Sequence, residues 1–511
     1  MASPIPDPQP DPHPQPDPHP QPDSHPHPHS RQPTDPPGPR RTGAAPPPDR
    51  AGRVEAHGID HIPEAERHGR ARELFAVWAA ANVNYLNLVV GGALILMGLS
   101  LGQAIAVIVV GNLFWAPVGL LAVSGPASGT PSEVIVRAMF GIRGNRVNIA
   151  INGWLICICY IALNLAAAAI AAFSLVERAG VAANTGVKIA VVVLIAVLTL
   201  AISVYGHATI VKLYLPITVV LTAAFAVVAY GVLGHADFGH EPAEPLTGGT
   251  LWAALAGGVT LIAAGPLSYT NSADFSRYLP RSASPRAVAG WTALGGFLPG
   301  VAVTSLGALA ATAVDMTDPQ TGLEAVLPAW FVPVFLLALV LGSIAVNAMT
   351  AYSSGLALQA VGVRIRRSLS VIVDGVLAVA VTLYALLVSN FLDTVSNLLQ
   401  LTVVLLGPGL AVYATDILLR RCRYDGLALT DETPGSPFWY TAGVNWAGAL
   451  AVTAGTAAAA LCANTTLYTG PLAHALGGVD LSLPVGITVA AILYGIPMRR
   501  ATRGRGAAPG A

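Results

Sequence analysis

Charge is what this chain has least of: Asp, Glu, Lys and Arg together supply 11% of its 511 residues, against 54% hydrophobic residues. So little polar surface cannot cover a water-soluble globule of this length, and the mean hydropathy of +0.61 points the same way. Cysteine is scarce too. Cys157, Cys159, Cys422 and Cys462 lie in or beside apolar stretches, with Cys157 and Cys159 on different helix faces, so the expectation is inert buried thiols, with no disulfide framework or metal cluster. Enzyme machinery is equally thin. Beyond the N-terminal segment, His207, His235, His240 and His474 are scattered without metal-ligand spacing, and no nucleophile with a base gathers near one membrane face. The chain is therefore not expected to be an enzyme, and the absence of a filter motif argues against a channel.

What is present is a series of apolar segments near the roughly 20 residues that cross a bilayer. They fall at 75–97, 101–124, 147–173, 187–204, 209–234, 251–271, 287–314, 330–361, 369–388, 394–418, 439–461 and 481–497, about twelve helices. Short cytoplasmic loops collect Lys and Arg. With the N-terminus inside, twenty basic residues fall on inner segments, from Arg67, Arg70 and Arg72 through to Arg499, Arg500, Arg503 and Arg505, while only Arg178 and Lys188 fall outside. An even number of spans with both termini cytoplasmic follows. The zero formal charge says nothing about nucleic acid, because the basic residues form one inner belt; no nucleic-acid partner is expected.

The first 50 residues are a different material, holding 19 of the 40 prolines and a near-tandem PQPDPHP. Such a segment cannot bury enough apolar surface to order itself, and it has no apolar core of a signal peptide. We expect residues 1–65 to be a disordered cytoplasmic tail, 66–498 a transporter domain and 499–511 a short basic tail. His13, His19, His25, His27 and His29 could hold metal loosely, although a solvated tail is the plainer reading.

Two spans carry polar residues and glycines where a continuous helix would prefer Leu or Ala. The first contains WAAANVNYLNLVVGG (Trp78–Gly92), with Asn82, Asn84 and Asn87; the sixth contains LAGGVTLIAAGPLSYTN (Leu255–Asn271). Interruptions five helices apart point to a five-plus-five inverted repeat whose site lies where the breaks meet, because irregular backbone at membrane depth survives only where protein or a wet cavity satisfies it. The repeats span about 75–234 and 251–418, with two extra helices at about 439–497. Ordinary Gly/Pro kinking is the alternative.

The string ADFSRYLPR (Ala273–Arg281) closes the sixth span; WAAANVN (Trp78–Asn84), RAMFGIRGN (Arg137–Asn145) and AYSSGLALQAVG (Ala351–Gly362) occur in order around it. Together they resemble the nucleobase:cation symporter family that includes the purine-cytosine permeases, over roughly residues 70–500. Read by themselves, Asp274 and Ser276 can receive freed backbone groups where the helix ends, Arg277 and Arg281 sit in the basic belt, and Pro280 stops the helix.

The resemblance implies an all-α integral membrane protein of the leucine-transporter type, with helices one and six broken and a four-helix bundle that moves against a scaffold. It implies import of a nucleobase by cation symport, no cofactor, and a coupling ion that is H+ or Na+. Cytosine or a purine comes first, with allantoin, hydantoin or a related heterocycle as the alternative; a receptor or sensor on the same fold is the non-transport alternative. A flat ring with donors and acceptors on its edge needs aromatic faces and amide readers. The family's stacking aromatic of helix three falls on Tyr160, with its amide on Asn164 one turn on, and the helix-eight amide falls on Asn347, with Thr350 behind it. Without the family, Tyr160, Asn164 and Asn347 read equally as hydrogen-bond partners between helices.

The helix-six aromatic of several relatives falls on Gly265, so Tyr269 is the candidate to replace it, and Asn82 completes the substrate set. Sodium-coupled relatives place two hydroxyl residues just before the helix-eight amide, where this chain has Ala345 and Val346. Neither offers the oxygen a hard cation wants, which favours protons. Asp374, the carboxylate well inside a span, is then the titratable candidate, with snorkelling to water as the alternative. Asp274 and Arg277 complete the coupling or gating set, and Lys212 reads as an interfacial anchor. Glu133 is expected to pair with Arg137 one turn away.

Overall fold

The structure is a computed structural model that describes Met1 and residues 51–505 except 56, 389, 390 and 466. The tail histidines and most of its prolines lie outside the described residues, as do 506–511. The chain divides into Met1–Ala45 and Pro46–Ala511, and all the described helices belong to the second unit.

Asn-rich sequence breaks the first helix, α1, into Glu73–Asn82 and Tyr85–Leu96 with a bend of 55°. Asn84 is extended there (φ −141°, ψ 165°) and caps the second half, its side chain accepting from Asn87 N at 3.0 Å. The freed carbonyls are met by amides: Asn84 Nδ2 donates to Ala81 O at 2.5 Å, Asn87 Nδ2 to Asn82 O at 2.8 Å and Asn82 Nδ2 to Trp78 O at 2.8 Å. Every one of the three asparagines is spent on the break.

Further apolar helices follow in chain order: α2 (Leu101–Ser128), α3 (Ile142–Arg178), α4 (Thr185–Tyr205), α5 (His207–Leu233), α6 (Gly248–Leu267), α7 (Pro285–Ala311) and α8 (Val332–Val361). The series ends with α9 (Arg367–Val388), α10 (Phe391–Arg420), α11 (Trp446–Cys462) and α12 (Ser482–Arg505). Ten of the helices are long and apolar enough to cross a bilayer, eleven with bent α1 counted as one span, and α11 is shorter at 17 residues. Among the described residues there is no β-strand, only two isolated bridges. This is a multi-pass membrane protein, with apolar side chains such as Leu194, Leu215, Val219 and Leu337 facing outward.

In α6 the glycines do not interrupt the helix. Gly257, Gly258, Gly265 and Pro266 all lie within Gly248–Leu267, and the interruption is the turn from Ser268 to Ser272, before a four-residue helix Ala273–Ser276. The reason is packing: a Cβ on Gly258 would stand 3.0 Å from Leu94 of α1 and Val107 of α2, so this glycine serves close approach. A second departure lies in α3, where Ala150–Leu155 forms a π-helical turn that periodicity gives no sign of.

The expected tail ends earlier than residue 65. Glu55, His57 and Ile62 are buried, Ile62 N donates to Gly129 O at 2.8 Å, and Arg67 Nη1 donates to Pro126 O at 2.8 Å, so this segment packs on the end of α2. Its isoleucines and single buried Glu supply what the Pro/His repeat lacks, apolar surface and a specific polar anchor. The same end gathers Arg137, Arg146, Arg277 and Arg420, whereas Arg178 pairs with Glu324 at the other. Lys212 is exposed, and the four cysteines are free, Cys157 and Cys462 buried.

Candidate functional site

The break in α1 and the turn after α6 face one cavity of about 110 Å³. Asn82 of α1, Tyr160 and Asn164 of α3, Gly265 and Tyr269 around the end of α6, and Thr350 of α8 all line it. Six of the seven residues expected at the substrate site are thus brought together from four helices.

Tyr160 reaches across from α3 to α6, its hydroxyl 3.4 Å from Ala264 O, one residue before Gly265. A Cβ on Gly265 would meet nothing within 4 Å, so the cavity has open room where a large side chain could stand. Tyr269 is held by an aromatic cluster: it stacks on Trp115 (5.5 Å, 27°) and meets Trp78 edge-on (5.1 Å, 75°). One turn along α3 from Tyr160, Asn164 donates through Nδ2 to Tyr160 O at 2.9 Å, a bond that does not engage Oδ1.

Asn347 does not line the cavity. It is 1% exposed and donates to Ile161 O at 3.0 Å, tying α8 to α3 beside Tyr160. The two carbonyls before it are already occupied, Ala345 O by the Tyr214 hydroxyl and Val346 O by Thr350 Oγ1 at 3.0 Å. In the α1 break the Ala81 and Asn82 carbonyls are likewise taken by asparagine amides, and the side chains of Ala345 and Val346 offer no oxygen to a hard cation.

The charged residues depart most from expectation. Arg277 reads as part of the basic belt and Asp274 as an acceptor at its own helix end, yet both are fully buried. Asp274 Oδ1 accepts from Ser132 N at 2.8 Å and Oδ2 from the Ser353 hydroxyl at 2.6 Å, so it serves other segments instead of its own helix end. Ser276 likewise donates to Ala122 O of α2 at 2.6 Å. Arg277 pairs with Glu55 at 2.9 Å and donates to Gly58 O at 2.7 Å, closing the arginine-rich end with the segment ahead of α1. Asp374 is fully buried, accepting from Trp154 Nε1 at 2.6 Å, and so does not snorkel; it does not line the cavity. Arg137 turns from Glu133 to Glu432 (2.5 Å) and Leu429 O (2.9 Å).

Asn112, Ser132, Glu133, Asn148 and Asn152 also line the cavity, and sequence reasoning did not select them. Asn112, a lone amide in an apolar span, was the one with a readable signal. Asn152 and Gly153 come from the π-helical turn, and half-exposed Asn148 marks the approach to the cavity from the arginine-rich end.

Comparison with known proteins gives a consistent family. Residues 61–486 match the family described as permease for cytosine/purines, uracil, thiamine and allantoin. YxlA of Bacillus subtilis (strain 168), whose naming as a purine-cytosine permease is itself provisional, is 26% identical over 457 residues, 88% of this chain and 96% of that one. Among solved structures, the nucleobase-cation-symport-1 family transporter Mhp1, closed with bromovinylhydantoin bound, matches with a TM-score of 0.72 at 18% identity. Its inward-facing form matches at 0.66 and 19%. In both, 88% of this chain and 96% of the other are covered, and the likeness is one of fold.

Proposed function

The chain belongs to the family of permeases for cytosine/purines, uracil, thiamine and allantoin, and from that membership we propose that it imports a small planar heterocycle by proton symport, through alternating access. Cytosine or a purine is the first substrate, and allantoin or hydantoin the next. The observation that carries this reading is the single cavity where an aromatic face, Tyr160, and an amide acceptor, Asn164, meet the broken ends of α1 and α6. Stacking desolvates the faces of a flat ring while an amide reads its edge. In this reading Tyr269 supplies the second aromatic wall, Asn82 and Thr350 shape the floor, and Asn347 fixes α3 against α8.

Protons are favoured over sodium because the side chains of Ala345 and Val346 carry no oxygen and the Ala345, Ala81 and Asn82 carbonyls are met by internal donors. Asp274, Arg277 and Asp374 act as gating contacts that join segments. The arginine-rich end and both termini lie in the cytoplasm, in keeping with the bias of basic loops.

The test is uptake of radiolabelled cytosine, adenine, uracil and allantoin into cells expressing the chain, with sodium replaced and with a protonophore added. Accumulation abolished by the protonophore and indifferent to sodium is expected; the reverse, or no uptake of any of the four, overturns the reading. Asn164→Ala should lower uptake about tenfold, the equivalent of about 1.4 kcal/mol from one lost edge contact, with the amount of surface protein unchanged.

The open room at Gly265 makes a separate prediction about size. Gly265→Phe should fill it and lower purine uptake about tenfold relative to cytosine, because a bicyclic ring loses space that a single ring does not need. Competition of adenine against labelled cytosine reads this directly, and an unchanged ratio contradicts the placement of the ring beside Gly265.

A further inference from the structure

Between Ser132 and the end of α6 lies a carboxyl group that no role described so far uses. Glu133 sits in the short helix Ser132–Ile135, is 3% exposed, and lines the same cavity as Tyr160 and Asn164. No donor reaches its Oε2, the rest of the carboxyl lies against Asp274 and its own backbone, and its backbone carbonyl is held by Asn145 Nδ2 at 2.7 Å, so the residue is fixed with one buried oxygen unpartnered. An ionised carboxylate buried with one oxygen bare is costly.

The surrounding groups decide which acid carries a proton. Asp274 stands beside Glu133, and its two oxygens accept from Ser132 N and Ser353 Oγ, which suits the anion. Arg277 is near both but is committed to Glu55 and Gly58 O. Cys157 of α3 faces Glu133, and Tyr413 of α10 faces Asp274 and bonds to Ser124 Oγ at 2.8 Å. Of the other elements packed against Ser132–Ile135, α8 presents Tyr352, already bonded to Glu55, and Arg137 is turned to Glu432; Ser124–Ser128 and Gly426–Thr430 contain no titratable side chain. Burial, with the Asp274 carboxylate second, holds the Glu133 acid well above the usual carboxylate range.

We propose that Glu133 is the residue that binds and releases the driving proton, an inference that rests on the proton-coupled reading above. In the closed state Glu133 is a neutral acid beside the Asp274 anion. Breaking its O–H bond leaves the electron pair on the carboxylate and passes the proton to water entering past Asn148 and Asn152. Two adjacent carboxylates then repel where Asp274 joins Ser132 to Ser353, and that seam opens towards the arginine-rich end.

The experiment is pH-dependent accumulation and substrate counterflow in cells expressing the full chain, with labelled cytosine, adenine, uracil and allantoin as the probes. In the unmodified chain, accumulation should fall as external pH rises. Glu133→Gln, a fixed mimic of the protonated form, should lose accumulation about tenfold or more and flatten the pH profile while keeping counterflow. Asp274→Asn removes the neighbouring charge, so the midpoint should move about one pH unit to the acid side. Infrared difference spectra of the purified chain give a reading independent of transport: a protonated-carboxyl band present in the unmodified protein should vanish in Glu133→Gln. Accumulation by Glu133→Gln with an unaltered profile, or an unaltered carboxyl band, overturns the proposal and leaves proton coupling standing. Uptake by the unmodified chain that follows sodium alone overturns both.

Discussion

Replacing Arg277 with alanine is expected to destabilise the protein by about 3–5 kcal/mol, the usual consequence of leaving one member of a buried ion pair without its partner. Neither Arg277 nor Glu55 has any exposed side-chain surface. Glu55 Oε1 accepts from Arg277 Nη2 (2.9 Å), the Tyr278 hydroxyl (2.7 Å) and the Tyr352 hydroxyl (3.1 Å), and Oε2 accepts from His207 N at 2.9 Å. Without the guanidinium, those neutral donors remain but the charge loses its pairing with Arg277. The segment that carries Glu55 therefore loses its reason to stay docked on α5, α8 and the end of α6. A paired substitution separates charge from packing: Glu55→Leu with Arg277→Met removes both desolvation costs and should recover most of the loss. Thermal unfolding of the detergent-purified chain reads both variants. A shift in Arg277→Ala equivalent to less than about 1 kcal/mol would mean that this pair is solvated and worth no more than a surface salt bridge.

That ion pair also marks the boundary of what sequence reasoning could reach. Helix positions, the break at Asn82–Asn84, and Tyr160 with Asn164 on one cavity-facing side were legible because each is written in local spacing: apolar length, an asparagine cluster, an i, i+4 pair. Arg277 was misread as a belt residue and Asp274 as an acceptor for its own helix end because their partners are remote. Arg277 meets Glu55 222 residues away, and Asp274 meets Ser353 79 residues away. Nothing in ADFSRYLPR says that its charges turn inward. Glu133 was assigned to Arg137 on helical spacing, but the short helix there ends at Ile135 and the Arg137 guanidinium finds Glu432 instead. Asn347 was read correctly as facing protein; that its partner is the Ile161 carbonyl and not the cavity depends on the rotation of a long helix, which its almost uniformly apolar sequence leaves unspecified.

The α1 break carries the second large effect. Asn84→Ala is expected to lose about 1 kcal/mol from the missing helix cap and about 1–3 kcal/mol more from the Ala81 carbonyl left without a donor in a buried setting. The Asn84 side chain makes both bonds at once, accepting from Asn87 N at 3.0 Å and donating to Ala81 O at 2.5 Å. Uptake should fall with stability, since Asn82 and Asn84 both line the cavity and an unheld break moves the floor on which substrate rests. Serine distinguishes the two bonds, being a good cap acceptor but too short to reach back to Ala81 O. Asn84→Ser should therefore restore about 1 kcal/mol of the unfolding free energy and little of the transport. If serine restored uptake fully, the cap alone would position the second half of α1, and the amide bond to Ala81 would be incidental. If alanine changed neither property, the 55° bend would have to be held by packing against α7, where a Cβ on Gly307 would collide with the Leu88 carbonyl and one on Gly91 with the Thr304 carbonyl. Those glycines bring the two helices to backbone contact, but the contact lies beyond the break, at Leu88 and Gly91 of Tyr85–Leu96, and supplies no donor to Ala81 or Asn82. Close packing can fix where the second half of α1 lies; only the asparagine amides satisfy the carbonyls that the bend sets free.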